Sequence, residues 1–449
     1  MGSGKKRLLA GFTIAILTLV IFIGFTSQRR CSAEGKGSDY EYIELFTDVM
    51  SIVKKSYVED VDTKKLIYGA INGMLSSLDP HSSFMPPETY KELKIDTKGA
   101  FGGLGIEISI RDGVLTVISP IEDTPAFKAG IKAGDQILRI DEKWTKDLNI
   151  NDAVKRMRGQ KGAKVTLTIM REGFDRPKEF SLIRDIIQVK SVRSRMLENG
   201  YGYIRIAQFQ EKTDEDLGKA LKTLQDGGKK PFSGLVLDLR NDPGGLLDQA
   251  VRVADHFIEE GLIVYTEGRE KEQQMRFSAT KGGKEPNYPI VVLINGGSAS
   301  ASEIVAGALQ DHKRAIIMGV QSFGKGSVQT IIPLSDQSGL RLTTARYFTP
   351  KGRSIQAKGI TPDIIVEQID LPKDSKKKPG FMIREKDLEN HFEDKGAPKG
   401  EKQDNKPEEK QRKPLSTKPE DNLKSDYQVM RALDLLKGWE IMKKMGAVK

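Results

Sequence analysis

Cysteine is almost absent. Cys31 is the single one in 449 residues, so no disulfide can form within the chain and redox compartment cannot be read from disulfide density. Histidine is scarce too, with His81, His256, His312 and His391 the full set. No cluster of His, Cys, Asp or Glu falls at a metal-ligand spacing, so neither a metal nor another cofactor is expected. Long apolar runs are missing after residue 25, which excludes a polytopic membrane protein. One-signed charge is missing as well. The net charge of +10 comes from 72 basic and 62 acidic residues that are largely interspersed, and nucleic acid is therefore not an expected partner.

What is present begins at the N-terminus. Lys5, Lys6 and Arg7 precede an apolar run from Leu8 to Phe25. It is longer than an ordinary signal-peptide core and just long enough to span a bilayer. The basic flank keeps the preceding residues in the cytoplasm and sends the rest of the chain outside. Residues 1–33 thus read as an uncleaved signal anchor or as a signal peptide cut after Cys31, Ser32 and Ala33. Cys31 in a lipoprotein acceptor role fits poorly, because Gln28, Arg29 and Arg30 precede it. The expected location is a bacterial periplasm, with the protein tethered to the inner membrane.

Residues 39–97 read as a helical module. Ile43, Phe46, Val49, Met50 and Val53 recur at helical spacing, as do Leu66, Ile67, Ala70, Ile71, Met74 and Leu75. Leu78-Asp79-Pro80-His81-Ser82-Ser83-Phe84 breaks the pattern with turn chemistry. From residue 98 to 185 the texture shifts to short alternating strands, two short helices and a glycine-rich loop, a small partly open barrel. Gly103-Leu104-Gly105-Ile106 and Ala129-Gly130-Ile131-Lys132-Ala133-Gly134-Asp135-Gln136-Ile137-Leu138 resemble the two signatures of a PDZ domain. Glycines in the first let backbone N–H groups converge on a terminal carboxylate, and the next strand offers its edge to a peptide. The resemblance implies that Gly103, Leu104, Gly105 and Ile106 bind a peptide C-terminus.

From 186 to 370 strands and helices alternate. Gly234 to Leu239 and Ile290 to Ile294 are continuous apolar runs typical of strands buried on both faces, and Ala301 to Leu309 reads as a helix. This is an α/β core whose site should lie beyond the strand C-termini. Residues 371–424 are rich in Lys, Glu, Asp and Pro and read as a mostly disordered segment. Residues 425–449 regain apolar spacing, so a terminal helix is expected to pack back or to pair with another subunit.

Asn295-Gly296-Gly297-Ser298-Ala299-Ser300-Ala301-Ser302-Glu303 follows a buried strand and opens a helix. Free N–H groups and the positive end of the helix dipole at that point suit a nucleophile and its oxyanion. Serine is equally a favoured helix cap, so the run alone does not decide. Downstream, Phe323-Gly324-Lys325-Gly326 places a lysine in a glycine-rich loop, where a desolvated amine can act as a base. His312 lies about 18 Å along the same helix, too far to serve instead. Gly319 to Lys325 also has P-loop spacing, with Asp238 as its acid, but Gly326 stands where that motif needs a hydroxyl and a strand pattern follows.

The stretch from Tyr40 to about Ile369 resembles the carboxyl-terminal processing peptidases, or tail-specific proteases. The Ser298–Glu303 and Phe323–Gly326 segments carry that likeness, with Leu237-Asp238-Leu239-Arg240-Asn241-Asp242-Pro243-Gly244-Gly245 similar to the family's oxyanion loop. The resemblance implies a ClpP/crotonase-like α/β core with an inserted or preceding PDZ domain and helical terminal segments. It implies Ser300 as nucleophile, Lys325 as base and Gln329 as the residue that orients the lysine. Ala301 and Gly245 would supply the oxyanion hole, with Gly244 the alternative donor, while Glu303 and Asp311 either support the site or, as the reading favours, are structural. The activity implied is a serine endopeptidase that cuts exported proteins near free C-termini. A homo-oligomer and an adaptor or regulator are the partners left open. The rival from another class is a catalytically silent PDZ scaffold; its mark would be loss of Ser300 or Lys325, and both are present.

Overall fold

The computed structural model describes residues 39–446, apart from 112, 147, 199, 228–231, 283–284, 369–383, 389–390 and 392–422. The basic and apolar N-terminal segment, and most of the charged segment 371–424, lie outside the described residues. Among the described residues no helix is long and apolar enough to cross a membrane. The chain divides between Gly73 and Met74 into two compact units. In the first, the expected spacing produces helix Asp39–Ser56, whose Asp39 and Glu41 at one end and Lys54 and Lys55 at the other complement the helix dipole. Its apolar stripe, including Ile43, Phe46 and Val49, is solvent-exposed.

The second unit holds two sub-structures. In one, strands Ile106–Arg111, Val114–Pro120, Gln136–Ile140, Lys164–Met170 and Lys178–Ile183 form an antiparallel sheet in that order. Leu104, Leu115, Val117, Ile137, Ile140, Leu167 and Ile169 form its own core. Helix Ile150–Met157 is capped by Asn149, whose Oδ1 accepts the Asp152 N–H at 3.0 Å. Strands Ala100–Gly103 and Asp185–Gln188 pair at the neck where the chain enters and leaves. Strand Ile106–Arg111 is an edge strand, so one side of it is free to take a peptide.

The other is built on a six-stranded sheet in the order Val192–Glu198, Tyr201–Ile206, Gly234–Asp238, Ile290–Ile294, Ile316–Gly319 and Ile364–Ile365. All neighbours after the first pair are parallel. Side chains alternate between faces. Leu235, Leu237, Ile290, Val292 and Ile294 pack into the cluster that holds helices Thr213–Asp226, Leu247–Asp255 and Ala301–Asp311. Val236, Val291, Leu293 and Met318 point the other way and are covered by Val429, Ala432, Leu433 and Leu436 of helix Tyr427–Lys444. The C-terminal helix therefore packs back on its own chain. A second sheet, which the sequence patterning does not reveal, is antiparallel and centred on Gly339–Phe348, with Ser83–Met85, Leu262–Gly268 and Ser327–Pro333 paired to it. It lies beside the lysine loop and forms one wall of the site.

Candidate active site

The loop Asn295–Ser300 leaves the C-terminal end of strand Ile290–Ile294 and delivers Ser300 to the start of helix Ala301–Asp311. Ser300 has φ 56° and ψ −113°, a backbone state that a side-chain-bearing residue rarely adopts. Surrounding bonds hold it there. The Ser300 N–H donates to Glu303 Oε2 at 2.8 Å, and its carbonyl accepts from the Glu303 and Ile304 N–H groups at 2.9 and 3.0 Å.

The neighbouring serines are otherwise engaged. Ser298 is buried, donates to the Leu239 carbonyl at 2.8 Å and accepts from the Asn295 N–H at 2.9 Å. Ser302 is buried and donates to the Asp242 carbonyl at 3.1 Å. Ser300 is half-buried, and its hydroxyl faces the Tyr347 phenol. Tyr347 in turn donates to the main-chain carbonyl of Lys325. Burial holds the Tyr347 phenol well above its ordinary value, and the Ser300 hydroxyl opposes that rise.

Glu303 joins the two motifs. Its carboxylate is fully buried and accepts four hydrogen bonds, from Ser322 Oγ at 2.6 Å and the N–H groups of Gly324, Ser300 and Lys325 at 2.7, 2.8 and 3.0 Å. One oxygen, Oε2, takes both the Ser300 and Lys325 N–H groups, so those two nitrogens lie within about 6 Å of each other. Burial pushes the Glu303 carboxyl up to about 7 against the pull of those donors. Sequence reading leaves Glu303 as a supporting or merely structural acid; here it is the centre of the loop's hydrogen bonding. Asp311 sits at the far end of the helix and pairs with Arg353 at 2.5 Å.

Lys325 is half-buried between strands Ile316–Gly319 and Ser327–Pro333. Burial lowers the pKa of its ammonium, Arg341 adds to that, and Glu385, Glu303 and Asp79 oppose it. No hydrogen bond joins Gln329 to Lys325, contrary to the expected orienting contact. The Gln329 amide donates instead to Ser327 Oγ at 3.0 Å and Thr343 Oγ1 at 3.3 Å. The pairing with strand Gly339–Phe348 shifts register between Val328 and Gln329.

The loop after Gly234–Asp238 supplies the other wall. Gly244 (φ 98°) packs so closely that a Cβ there would lie 2.7 Å from the Ala299 carbonyl and 2.8 Å from Ser300 Cβ. At Gly245 (φ 148°) a Cβ would overlap the Phe209 carbonyl. The Gly244 N–H is taken by Asp242 Oδ1 at 2.8 Å, which removes it as a free donor. The N–H groups of Gly245 and Ala301 have no acceptor among the described residues. Asp242 is fully buried, and burial pushes its carboxyl up to about 8.

The remaining candidates are accounted for elsewhere. Asp238 is buried in an ion pair with Arg240 at 2.6 Å and accepts the Tyr203 hydroxyl, and the loop through Lys325 runs into a strand, so no phosphate-binding loop forms. His256 pairs with Asp214 and His312 with the Leu262 carbonyl, both at 2.7 Å. Among the described residues no group of acids, His and Cys is arranged to hold a metal ion. In the small barrel, the N–H groups of Leu104 and Gly105 have no acceptor among the described residues, and position 105 favours glycine twice over, by its φ of 76° and because a Cβ would strike Thr124. Gly103 ends one strand and Ile106 begins the edge strand.

Three family descriptions match the chain: peptidase family S41 over residues 200–366, a PDZ domain over 102–182 and the activating protease CtpB N-terminal domain over 25–89. A carboxy-terminal-processing protease of Bartonella bacilliformis is 55% identical over 332 residues, 73% of this chain and 76% of that protein. The carboxy-terminal processing protease CtpA of Bacillus subtilis is 36% identical over 375 residues, 82% of this chain and 79% of that one. Among solved structures, a photosystem II D1 C-terminal processing protease shares 31% identity over 72% of this chain and 92% of that chain, with a TM-score of 0.43.

Proposed function

The chain belongs to the S41 carboxyl-terminal processing peptidases, serine endopeptidases with a PDZ domain, and from that premise we propose that Ser300 and Lys325 are its catalytic dyad. The observation that carries the reading is the contrast among three serines: Ser298 and Ser302 spend their hydroxyls on main-chain carbonyls, and Ser300 does not. In the proposed cycle the Lys325 amine takes the Ser300 proton as Oγ attacks the scissile carbonyl. The carbonyl π electrons move to oxygen, where the N–H groups of Ala301 and Gly245 receive the charge. The Lys325 ammonium then protonates the leaving amine. Water repeats the sequence on the acyl-enzyme, with Lys325 again taking the proton.

Substrates are taken to be exported proteins with free C-termini, their carboxylate received by the Leu104 and Gly105 N–H groups and their backbone added to strand Ile106–Arg111. The PDZ domain would then deliver the chain to the cleft or gate it. The basic flank and apolar run of residues 5–25 support a place on the outer face of the inner membrane. Casein cleavage tests the dyad. Ser300→Ala and Lys325→Ala should each lose about 10³-fold or more in kcat/KM with folding unchanged by circular dichroism. Equal activity in wild type and both variants would refute the assignment.

A further inference from the structure

Arg384–Leu388 lies beyond the residues matched to the peptidase family and consists of a short 3₁₀ turn and its flanks. Its Glu385 nevertheless has no exposed surface. The two carboxylate oxygens lie 2.7 and 2.8 Å from His81 Nε2, and Gln356 Nε2 donates to Oε1 at 2.9 Å. The Glu385 N–H donates to the Phe323 carbonyl at 3.2 Å, and Gln356 Oε1 accepts the Gly326 N–H at 2.9 Å. These bonds grip the loop two residues before Lys325 and one residue after it. Arg384 adds a bond to Gln321 at 3.1 Å.

His81 is held equally firmly from the other end of the chain. Asp79 Oδ1 accepts the His81 and Ser82 N–H groups at 2.8 and 2.9 Å and the Thr343 hydroxyl at 3.1 Å. Thr343 is also the partner of Gln329. A buried carboxylate loses several kcal/mol of hydration, and packing alone is served better by an apolar side chain. Here the carboxylate instead has a titratable partner and stands beside the lysine loop.

We propose that His81 and Glu385 are a positioning pair for Lys325, with Glu385 clamping the loop that carries the lysine and facing it with its carboxylate, which His81 holds in place. The proposal rests on the reading of Lys325 as the base. The charged groups facing that amine are Glu385, Glu303 and Asp79 on the negative side and Arg341 on the positive side. Glu385 is the largest of the charges opposing the effect of burial on Lys325. Glu385 lies beyond the residues matched to the peptidase family, and His81, within the matched N-terminal domain, precedes it by 304 positions.

The test is the pH profile of kcat/KM on casein for Glu385→Gln and His81→Gln. Glu385→Gln keeps most of the hydrogen bonding and removes the charge, so the acid limb should move about one pH unit lower. His81→Gln keeps the Glu385 charge and loosens the hold on it, so the limb should move in the same direction by a smaller amount. A purely structural role would lower activity at every pH and leave both limbs in place; that result overturns the pair. If one variant fails to fold, the shift of the other decides. Lys325→Ala separates the two claims: retained activity overturns the base assignment and the pair with it. Inactivity, with the limbs of the other two variants unmoved, overturns the pair alone.

Discussion

Single alanines separate Ser298, Ser300 and Ser302, and hydrogen bonding then distinguishes them. Ser300 has a strained φ, and Glu303 Oε2 accepts its N–H. Glu303→Gln places an amide NH₂ where donors already point, so one oxygen's two bonds are lost. A fall in kcat of about 10²-fold is expected by steady-state kinetics, with an unsatisfied-donor penalty of about 1–3 kcal/mol in urea unfolding. Asp242 gives a pH prediction. Its carboxyl is near 8 when folded and 3.8 unfolded, so between those values folding takes up a proton. Stability attributable to this group is therefore highest at low pH and falls as pH rises toward 8, by at most about 1.4 kcal/mol per pH unit. Asp242→Asn should lack that fall when urea midpoints at pH 5 and pH 8 are compared; parallel behaviour of the two proteins would contradict it. The segments that carry Ser300 and Lys325 stand out in sequence because each is a contiguous run rich in small residues, and the choice of Ser300 among the three serines rests on the family spacing. Asp79, His81, Tyr347 and Glu385 do not stand out, because the fold alone brings them to the loop.

At the scale of elements, the parallel strands are legible because burial on both faces leaves continuous apolar runs such as Ile290–Ile294. The antiparallel sheet around Gly339–Phe348 is not, since its strands are half-buried and carry Arg341, Thr343 and Arg346 among their apolar residues. The C-terminal helix Tyr427–Lys444 is visible as a helix, but its partner is set by the alternation of Val291 and Leu293 toward it. Leu433→Ala should cost about 2–5 kcal/mol of stability in urea unfolding, because the buried methyls face a sheet that cannot collapse onto the gap. The loop that follows strand Gly234–Asp238 is tied to the same helix. Arg240, which precedes the loop glycines, bonds Asp426 at 2.9 Å and Gln428 at 2.8 Å as well as Asp238. Gly245→Ala should lower kcat by about 10²-fold or more in steady-state assays, since φ 148° and the Phe209 carbonyl both exclude a Cβ.

For the whole molecule, the edge strand Ile106–Arg111 of the PDZ domain and the residues proposed as the dyad, Ser300 and Lys325, belong to the same compact unit. If the Leu104 and Gly105 N–H groups receive the substrate's terminal carboxylate, recognition should depend on that carboxylate. A substrate with an amidated C-terminus should show a KM about tenfold higher than the free acid, with a smaller change in kcat. Equal KM values would remove the carboxylate from the recognition model. The module order is legible from composition and glycine signatures.

The central claim is that Lys325 activates Ser300. Labelling with a fluorophosphonate followed by peptide mass spectrometry tests it most directly, because the phosphorus traps whichever hydroxyl is nucleophilic. Wild type should give a single adduct on Ser300, and a folded Lys325→Ala protein should lose it. An adduct on Ser298 or Ser302, or undiminished labelling of Ser300 without Lys325, would contradict it.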